Sequence, residues 1–526
     1  MASSAVSVSH APQSVAKPVN KWAVAVAVAT GALLEVIDTS IVNVALPQIQ
    51  ASLGATLTEV SWVVSSYAVA NVITLPLSAW LGQRFGKKAY FVFSLVSFTV
   101  ASMMCGMATS FTMLVVARVL QGLAGGGLLA KAQAILFETF PREEQAMAQA
   151  FFGIIVIAGP AIGPTLGGYL VTNVDWRWIF FINLPVGIAA VLLTLAALPA
   201  DPPRVKGKGV DWFAIALLAA GLGSLQTILE EGNTEDWFDS RFIVTLTITM
   251  VVALGTLVWR LLTVEDPVVD LRVLRYRSLS AGSVLSVVVG IALYGTVFAI
   301  PLFAQTMLGF TSEQTGMLLL PSALASAVAM PLAGRVLKVV EARIALLGGA
   351  TFLVLALFWL SDLSPQTGEG DLYWPLIIRS FGTVMMFLPL TLAALGPIPK
   401  EDISKATGFF SLTRQLGGSI GVALLTTLLA RRETFHRSVL IEKVSANSAL
   451  ALERLASFRA MFMSKGSTFD DAQAKAMALL DRSVEAQALV MSFTDTFVAT
   501  GILIIVCLPL VALLGKGKGA APVSDH

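Results

Sequence analysis

The stretch GIIVIAGPAIGPTLGG, residues 153–168, decides how this chain folds. Its glycines recur every fourth residue, at Gly159, Gly163 and Gly167. On a helix they would form one smooth face against which a second helix can pack closely. Pro160 and Pro164 each remove a backbone donor, and in lipid the freed carbonyls must be satisfied by neighbouring protein. The stretch therefore predicts a helix buried in a membrane bundle, and the alternative is an ordinary small-residue packing face.

The composition is that of an all-α polytopic membrane protein. Hydrophobic residues make up 56% of the chain and charged residues 13%, against about 45–50% and about 25% in soluble domains, and the mean hydropathy is +0.80. The 35 basic and 33 acidic residues nearly cancel, so the net charge carries no information about a nucleic-acid partner, and none is expected. Cys105 and Cys507 both lie in apolar runs, which gives no sign of a disulfide framework, a metal site or a cofactor.

Apolar runs of about 20 residues, long enough to cross a bilayer, recur along the chain. We count fourteen, near residues 22–44, 60–81, 89–108, 111–137, 146–171, 178–199, 211–229, 242–263, 279–303, 313–334, 343–361, 374–397, 405–429 and 490–515. Residues 1–20 lack an apolar core and are predicted to be a disordered cytosolic tail rather than a signal peptide. Residues 516–526 are predicted to be a second cytosolic tail.

The distribution of lysine and arginine sets the predicted orientation. With the N-terminus inside, twenty Lys and Arg residues fall on inner segments, and the short outer loops hold Arg177 and Arg241. This bias predicts that both termini lie in the cytoplasm. Residues 431–489 form a long predicted outer loop that also carries Lys and Arg residues. This loop is an exception to the bias, because loops of that length translocate regardless of charge. Apolar and charged residues alternate there at helical spacing, which predicts amphipathic helices.

An internal repeat supports this count of spans. With an offset of 258, residues 141–166 align with 399–424, and nine positions are identical, including Gly159/Gly417 and Gly163/Gly421. Same-sense repetition of helical halves is typical of transporters with parallel repeats. We therefore predict two six-helix bundles with two inserted helices: residues 21–200, 201–264 and 265–515, the last including the loop 431–489.

Charged residues inside spans are functional candidates, because each costs roughly 2.5–3.5 kcal/mol at a helix centre. Glu35 and Asp38 lie three residues apart, on one helical face, where a carboxylate can take up and release a proton. The alternative for Asp38 is a static ion pair with Arg118 or Arg414. The alternative for Glu35 is that it lines a hydrated vestibule.

Arg118 lies mid-span with Gln121 and Gly122 on the same side of its helix. An arginine stays protonated even when it is buried, so its expected task is to fix the state of a carboxylate. The alternative is an architectural hydrogen-bond hub to backbone carbonyls. Arg379 and Arg414 are the second-half candidates, and the predicted substrate cavity includes Asn43, Gln121 and Arg414.

The loop between the second and third spans, LSAWLGQRFGKK, contains a glycine turn and basic residues. We predict a cytoplasmic loop motif formed by Gln83, Arg84, Gly86, Lys87 and Lys88. The alternative is that its charges serve only as the positive-inside signal.

Together these residues resemble the major facilitator superfamily, and within it the fourteen-span drug:proton antiporters of the EmrB/QacA type. DTSIVNVALP, residues 38–47, is similar to the first-span motif, and Arg118, Gln121 and Gly122 match the fourth-span motif. The segment from Gly159 to Gly168 matches the antiporter motif G-P-x-x-G-P-x-x-G-G, which comprises Gly159, Pro160, Gly163, Pro164, Gly167 and Gly168.

The loop after the second span departs from the superfamily pattern. Ala79 and Gln83 occupy positions where that family usually has glycine and aspartate. The aspartate is implied to help latch the outward-facing state, so the resemblance implies a weaker or differently built latch here.

The resemblance implies a proton-coupled multidrug efflux transporter that exports amphipathic or lipophilic compounds by alternating access. It implies that protons are the coupling ion and that no cofactor is needed. The partners it implies are the bilayer, small substrates, and a periplasmic adaptor with an outer-membrane channel. One alternative is an exporter of a native metabolite such as a siderophore or fatty acid, and another is a non-transporting receptor or scaffold. An enzyme is not expected, because the sequence shows no nucleophile, base or metal constellation.

Overall fold

The computed structural model describes residues 20–201, 209–265, 267–364, 366–444 and 448–514. Within these ranges the secondary structure consists of helices and connecting turns, with no strand. The two predicted tails fall almost entirely outside them, as do six inner basic residues: Lys17, Arg204, Lys206, Lys208, Lys516 and Lys518. The α-helices are α1 (Lys21–Leu53), α2 (Leu57–Val60), α3 (Trp62–Phe85), α4 (Lys87–Gly106), α5 (Phe111–Gly125), α6 (Leu128–Thr139), α7 (Arg142–Asn173), α8 (Trp178–Phe181), α9 (Asn183–Ala197), α10 (Trp212–Glu231), α11 (Arg241–Thr263), α12 (Arg277–Thr306), α13 (Ser312–Val336), α14 (Ala342–Leu360), α15 (Glu369–Leu395), α16 (Ile403–Lys443), α17 (Ala449–Ser464) and α18 (Phe469–Cys507).

Thirteen helical stretches in the described ranges are long and apolar enough to cross a membrane. The remaining predicted span, residues 405–429, forms the first part of α16, which is long enough but more polar than the others. α16 packs against α12, α18, α3 and α6. Because protein rather than lipid covers much of its surface, this helix needs less apolar surface than a lipid-facing span.

The glycine face of α7 packs on α1, as the sequence predicts. A methyl group at Gly163 would lie 2.8 Å from the Cβ of Ser40 and 3.0 Å from the backbone nitrogen of Ile41. The repeat reproduces this packing, since a methyl group at Gly421 of α16 would lie 2.7 Å from the Cα of Ile291 on α12. Glycine is therefore required at both positions by the close approach of two backbones.

The opposite side of α7 packs on α13. A methyl group at Gly316 of α13 would lie 2.6 Å from the Cα of Thr165 on α7. Pro160 and Pro164 are both accommodated inside α7, which continues without a break from Arg142 to Asn173. α7 is thus held between α1, from the first half of the chain, and α13, from the second.

The predicted fourth span, residues 111–137, is not one helix. α5 ends at Gly125 and α6 begins at Leu128, and Gly127 between them has a φ of +95°. Gly126 lies against the chain of α3, where a methyl group would be 2.7 Å from the carbonyl oxygen of Asn71. The break exposes the N-terminal backbone amides of α6 inside the bundle.

The predicted outer loop, residues 431–489, is mostly helical in its described part, with short non-helical connections at 444, 448 and 465–468. α16 continues to Lys443, α17 follows, and α18 begins at Phe469. Arg459 of α17 donates to Gln473 of α18 at 3.1 Å, and the two helices pack together. Helices are therefore present in this segment, as the alternating pattern predicts.

Candidate transport site

Asp38 of α1 is fully buried and forms an ion pair with Arg118 of α5, whose exposure is 1%. The Arg118 Nη1 lies 2.6 Å from Asp38 Oδ2, and Gln121 Nε2 donates to Oδ1 at 2.7 Å. Arg118 Nη1 also donates to Gln121 Oε1 at 2.8 Å. Of the two arginines that the sequence offered as ion-pair partners of Asp38, the structure pairs it with Arg118 and not with Arg414.

Arg118 makes contacts of both kinds that the sequence left open, to a carboxylate and to a backbone carbonyl. Besides pairing with Asp38, its Nε donates to the carbonyl oxygen of Val63 at 2.8 Å, and its guanidinium carbon lies 4.2 Å from the ring centre of Tyr67. The planar guanidinium therefore joins α5 to both α1 and α3.

Two further donors complete this cluster and were missed by the sequence reasoning. Asn183, the first residue of α9, donates to Asp38 Oδ1 at 3.1 Å and to Ser102 Oγ at 3.0 Å. Ser102 in turn donates to the carbonyl of Phe180 at 2.9 Å. Asn183 lies in the aromatic stretch WRWIFFINLPVG, and an amide inside an otherwise apolar run was the available signal.

Glu35 is buried, with 8% exposure, but neutral groups hold it. Asn71 Nδ2 donates to Oε1 at 2.9 Å, and the backbone amide of Leu129 donates to Oε2 at 2.9 Å. Leu129 is the second residue of α6, so this carboxylate caps the N-terminus that the break at Gly127 creates. A negative charge is stabilised there by the helix dipole and by unpaired amides.

The three residues predicted to share a substrate cavity are not joined by any hydrogen bond or ion pair in the described ranges. Asn43 is exposed, and Gln121 is fully buried in the Asp38 cluster. Arg414 of α16 lies with its guanidinium carbon 5.1 Å from the ring centre of Phe387, and its Nη1 has no hydrogen-bond partner.

The cytoplasmic loop motif makes specific contacts beyond its charge. Lys87 bonds Glu138 at 2.7 Å, and Lys88 Nζ donates to the carbonyls of Leu195 and Leu198, each at 2.7 Å. Asp201 accepts from the backbone amides of Lys88 and Ala89 at 2.9 and 3.0 Å, beside Gly86, whose φ is +91°.

The two remaining loop positions face elsewhere. The guanidinium of Arg84 lies 5.6 Å from the ring centre of Trp80. Gln83 is exposed and lines a cavity of about 210 Å³ that also includes Asp270 and Lys405. Asp270 is paired with Lys405 at 2.9 Å, so a carboxylate is present near Gln83 although the loop itself lacks one.

The part of the chain that the structure describes offers no cluster of side chains for binding a metal ion. It contains no group of three or more His, Cys, Asp or Glu side chains that could hold a metal ion.

The comparisons with known proteins agree with this architecture. Residues 28–422 match the family described as Major Facilitator Superfamily. The chain belongs to this superfamily. It is therefore a membrane transporter rather than an enzyme, and the predicted fold is confirmed.

Several curated relatives are similar over nearly the whole chain. The Multidrug export protein EmrB of Escherichia coli (strain K12) is 32% identical over 92% of this chain and 94% of its own. The Fatty acid resistance protein FarB of Neisseria gonorrhoeae is 33% identical over 91% of this chain and 93% of its own length.

Solved structures support the fold alone, because their identity to this chain is low. The human organic anion transporter MFSD10 (TETRAN) has a TM-score of 0.58 at 14% identity, covering 92% of this chain and 99% of that one. The proton:xylose symporter XylE has a TM-score of 0.57 at 12% identity, and the match covers 94% of this chain and 99% of XylE.

Proposed function

We propose that this chain is a proton-coupled multidrug exporter of the inner membrane, with both termini in the cytoplasm. The observation that carries the proposal is the buried cluster in which Asp38 accepts from Arg118, Gln121 and Asn183. A carboxylate at such a depth marks a proton pathway by default. The relatives named as multidrug export proteins support small amphipathic compounds as the substrates.

The cluster links a protonation event to helix packing. When Asp38 takes up a proton, Arg118 loses its countercharge and must find other partners, which costs several kcal/mol in a buried site. Glu35 forms no ion pair among the described residues, but when it takes up a proton the nearby Arg414 loses a favourable negative charge and α6 loses the charge at its N-terminus. Both events loosen α1 from the α5–α6 helix pair.

Movement of α1 is transmitted to the contact between the two halves. α1 touches α7 through the glycine face, and α7 touches α13 on its other side. The antiporter motif, with Gly159, Gly163, Gly167 and Gly168 on α7, thus links the Asp38 cluster physically to the contact between α7 and α13. We propose that alternating access uses this link.

Proton-driven transport in everted inner-membrane vesicles tests the proposal. An imposed pH gradient should drive uptake of an amphipathic dye, and dye addition should release protons in turn, in vesicles with this chain and not in vesicles with the Asp38→Asn variant. Dye uptake without proton exchange would contradict coupling. Neither activity across a broad substrate panel would favour the receptor or scaffold alternative, and activity with one native metabolite alone would favour the dedicated exporter.

We further propose that a periplasmic adaptor, leading to an outer-membrane channel, docks on residues 431–489. The support is a helical surface with exposed apolar side chains, including Leu450, Phe469 and Met477. The alternative is that these helices merely lie against the membrane surface.

Deleting residues Val444 to Asp481 separates the two. If this surface binds an adaptor, vesicle transport survives, while whole-cell resistance and adaptor cross-linking are lost. Loss of vesicle transport, or intact adaptor cross-linking, would contradict docking.

A further inference from the structure

The inserted helix α10 lies where the two halves of the chain meet. It packs against α3 of the first half and against α16 of the second, and α3 and α16 also pack against each other. Leu75 of α3, Leu222 of α10 and Leu412 of α16 belong to one apolar cluster that joins the three helices. Any change in the separation between the halves must therefore alter the contacts of α10.

A buried carboxylate fixes α10 to the first half. Glu231 is 3% exposed, and its two oxygens accept from the hydroxyls of Ser65 at 2.6 Å and Ser61 at 3.2 Å. Hydrogen bonds to a carboxylate are roughly twice as strong as those between neutral groups. Further along α10, a methyl group at Gly223 would lie 3.3 Å from the Cδ1 of Ile73 on α3. α10 is therefore bound to α3 both by charge-assisted hydrogen bonds and by close packing.

A neutral hydrogen bond joins α10 to the second half. Gln226 is fully buried, and its Nε2 donates to the Oγ of Ser419 on α16 at 2.8 Å. The same nitrogen donates to Glu230 at 2.8 Å, and Ser419 donates to the carbonyl oxygen of Gln415 in its own helix at 3.4 Å. Because each side chain keeps a second partner, the bond between Gln226 and Ser419 can break at low cost.

The proposed orientation places these contacts in the outer part of the bundle, since α10 ends at Glu231 and α3 begins at Trp62. The halves are closed together on this side. A methyl group at Gly316 of α13 would lie 2.6 Å from the Cα of Thr165 on α7. Opening to the outside must separate the halves here, and α10 cannot stay in contact with both.

We propose that α10 moves with the first half during transport, and that the hydrogen bond between Gln226 and Ser419 is an outer tie between the halves, broken each time the outer side opens. The reason is the difference between the two contacts, because a carboxylate binds α10 to the first half and a neutral amide binds it to α16. The inference rests on the proposed export function, whose alternating access supplies the opening. It assigns the inserted helix a role in gating.

Cross-links on the two sides of α10 test the proposal in everted vesicles that contain a chain without native cysteines. Gln226→Cys with Ser419→Cys spans the outer tie. Val69→Cys with Gly223→Cys is the matched control within the first half, where a methyl group at Gly223 would lie 3.7 Å from the Cγ1 of Val69. A short bismethanethiosulfonate joins each pair, peptide mass spectrometry confirms the cross-link, and dithiothreitol reverses it.

The cross-link across the outer tie should abolish dye transport, and reduction should restore it. The control cross-link should leave the transport rate of its own variant unchanged. Transport that continues with the outer tie cross-linked would overturn the proposal. Loss of transport in the control as well would overturn the assignment of α10 to the first half.

Distances between spin labels test the same movement without any measurement of activity. Labels at Asn173 of α7 and Glu313 of α13 report the outer separation of the halves, and a label at Asn233, just after α10, reports the position of that helix; all three residues are exposed. When the distance from Asn173 to Glu313 lengthens, the distance from Asn233 to Glu313 should lengthen with it, and the distance from Asn233 to Asn173 should stay constant. Lengthening of the last distance would overturn the proposal. A constant distance from Asn173 to Glu313, with and without dye and at every pH, would instead contradict the proposed alternating access.

Removing one hydroxyl weakens the outer tie without a cross-link. Ser419→Ala should raise the ratio of open to closed populations about 2- to 10-fold, which is the worth of one neutral hydrogen bond. Thr227→Val is the control, because it removes a hydroxyl that bonds only to the carbonyl of Gly223 within α10, and it should leave the ratio unchanged. Equal distance distributions for the two variants would contradict the role of the outer tie.

Discussion

Replacing Gly163 by alanine places a methyl group between α7 and α1. That carbon would lie 2.8 Å from the Cβ of Ser40 and 3.0 Å from the nitrogen of Ile41, whereas carbon atoms in contact prefer about 3.5–4.0 Å. The two helices must therefore separate by about 1 Å, and overpacking of this kind costs about 1–3 kcal/mol. Because the cost falls on the state with the helices in close contact, the ratio of open to closed populations should rise about 5- to 150-fold.

Spin labels at the predicted outer ends of α7 and α13 measure this shift. Asn173 and Glu313 are both exposed and belong to different halves, so cysteines there, with Cys105 and Cys507 replaced, report the outer separation by electron paramagnetic resonance. Gly163→Ala should move the distance distribution towards longer values. Gly348→Ala is the matched control, because no atom lies within 4 Å of a methyl group at that position. Identical distributions for the two variants would refute the packing argument.

Three further substitutions test separate parts of the account. Arg118→Lys should lower vesicle transport at least about 10-fold, because a point charge cannot bond Asp38 and the Val63 carbonyl together; unchanged transport would favour the architectural role. Glu35→Gln should change which substrates are exported. An equal fall in the export of neutral and of cationic dyes would contradict a role of Glu35 in substrate selection. Asp211→Ala should lower stability by about 1 kcal/mol, because Asp211 caps α10 through the amide of Ala214. The hydrogen bond from Arg260 lowers the pKa of Asp211 below 3.8, so the melting-temperature difference should persist at neutral pH and shrink as the pH falls below about 3.8.

The sequence predicted the spans and the glycine packing because both depend on local composition. An apolar run has to cross the membrane as a helix, and glycines four residues apart have to share a face. The break between α5 and α6 was not predicted, because GLAGGGLLA continues an apolar run without any polar interruption. The conformation of Gly127 depends on the approach of α3, which is a tertiary contact.

The buried cluster of the candidate transport site was predictable to the extent that buried charges must find partners. Arg118 is a lone charge in its apolar run, and Asp38 shares its run only with Glu35, so the pairing of Asp38 with Arg118 follows from the cost of leaving either charge alone. Asn183 was missed because a single amide does not reveal which distant helix it contacts. The amide of Leu129 was missed because a backbone donor has no signature in a sequence.

The most direct test of proton coupling through Asp38 is substrate-induced proton release. Purified protein in weakly buffered detergent solution receives an exported dye, and a pH indicator counts the protons released. The unchanged chain should release protons on dye binding, and Asp38→Asn, which removes the titratable group at nearly constant volume, should bind the dye and release none. Proton release of the same size from Asp38→Asn would contradict the account.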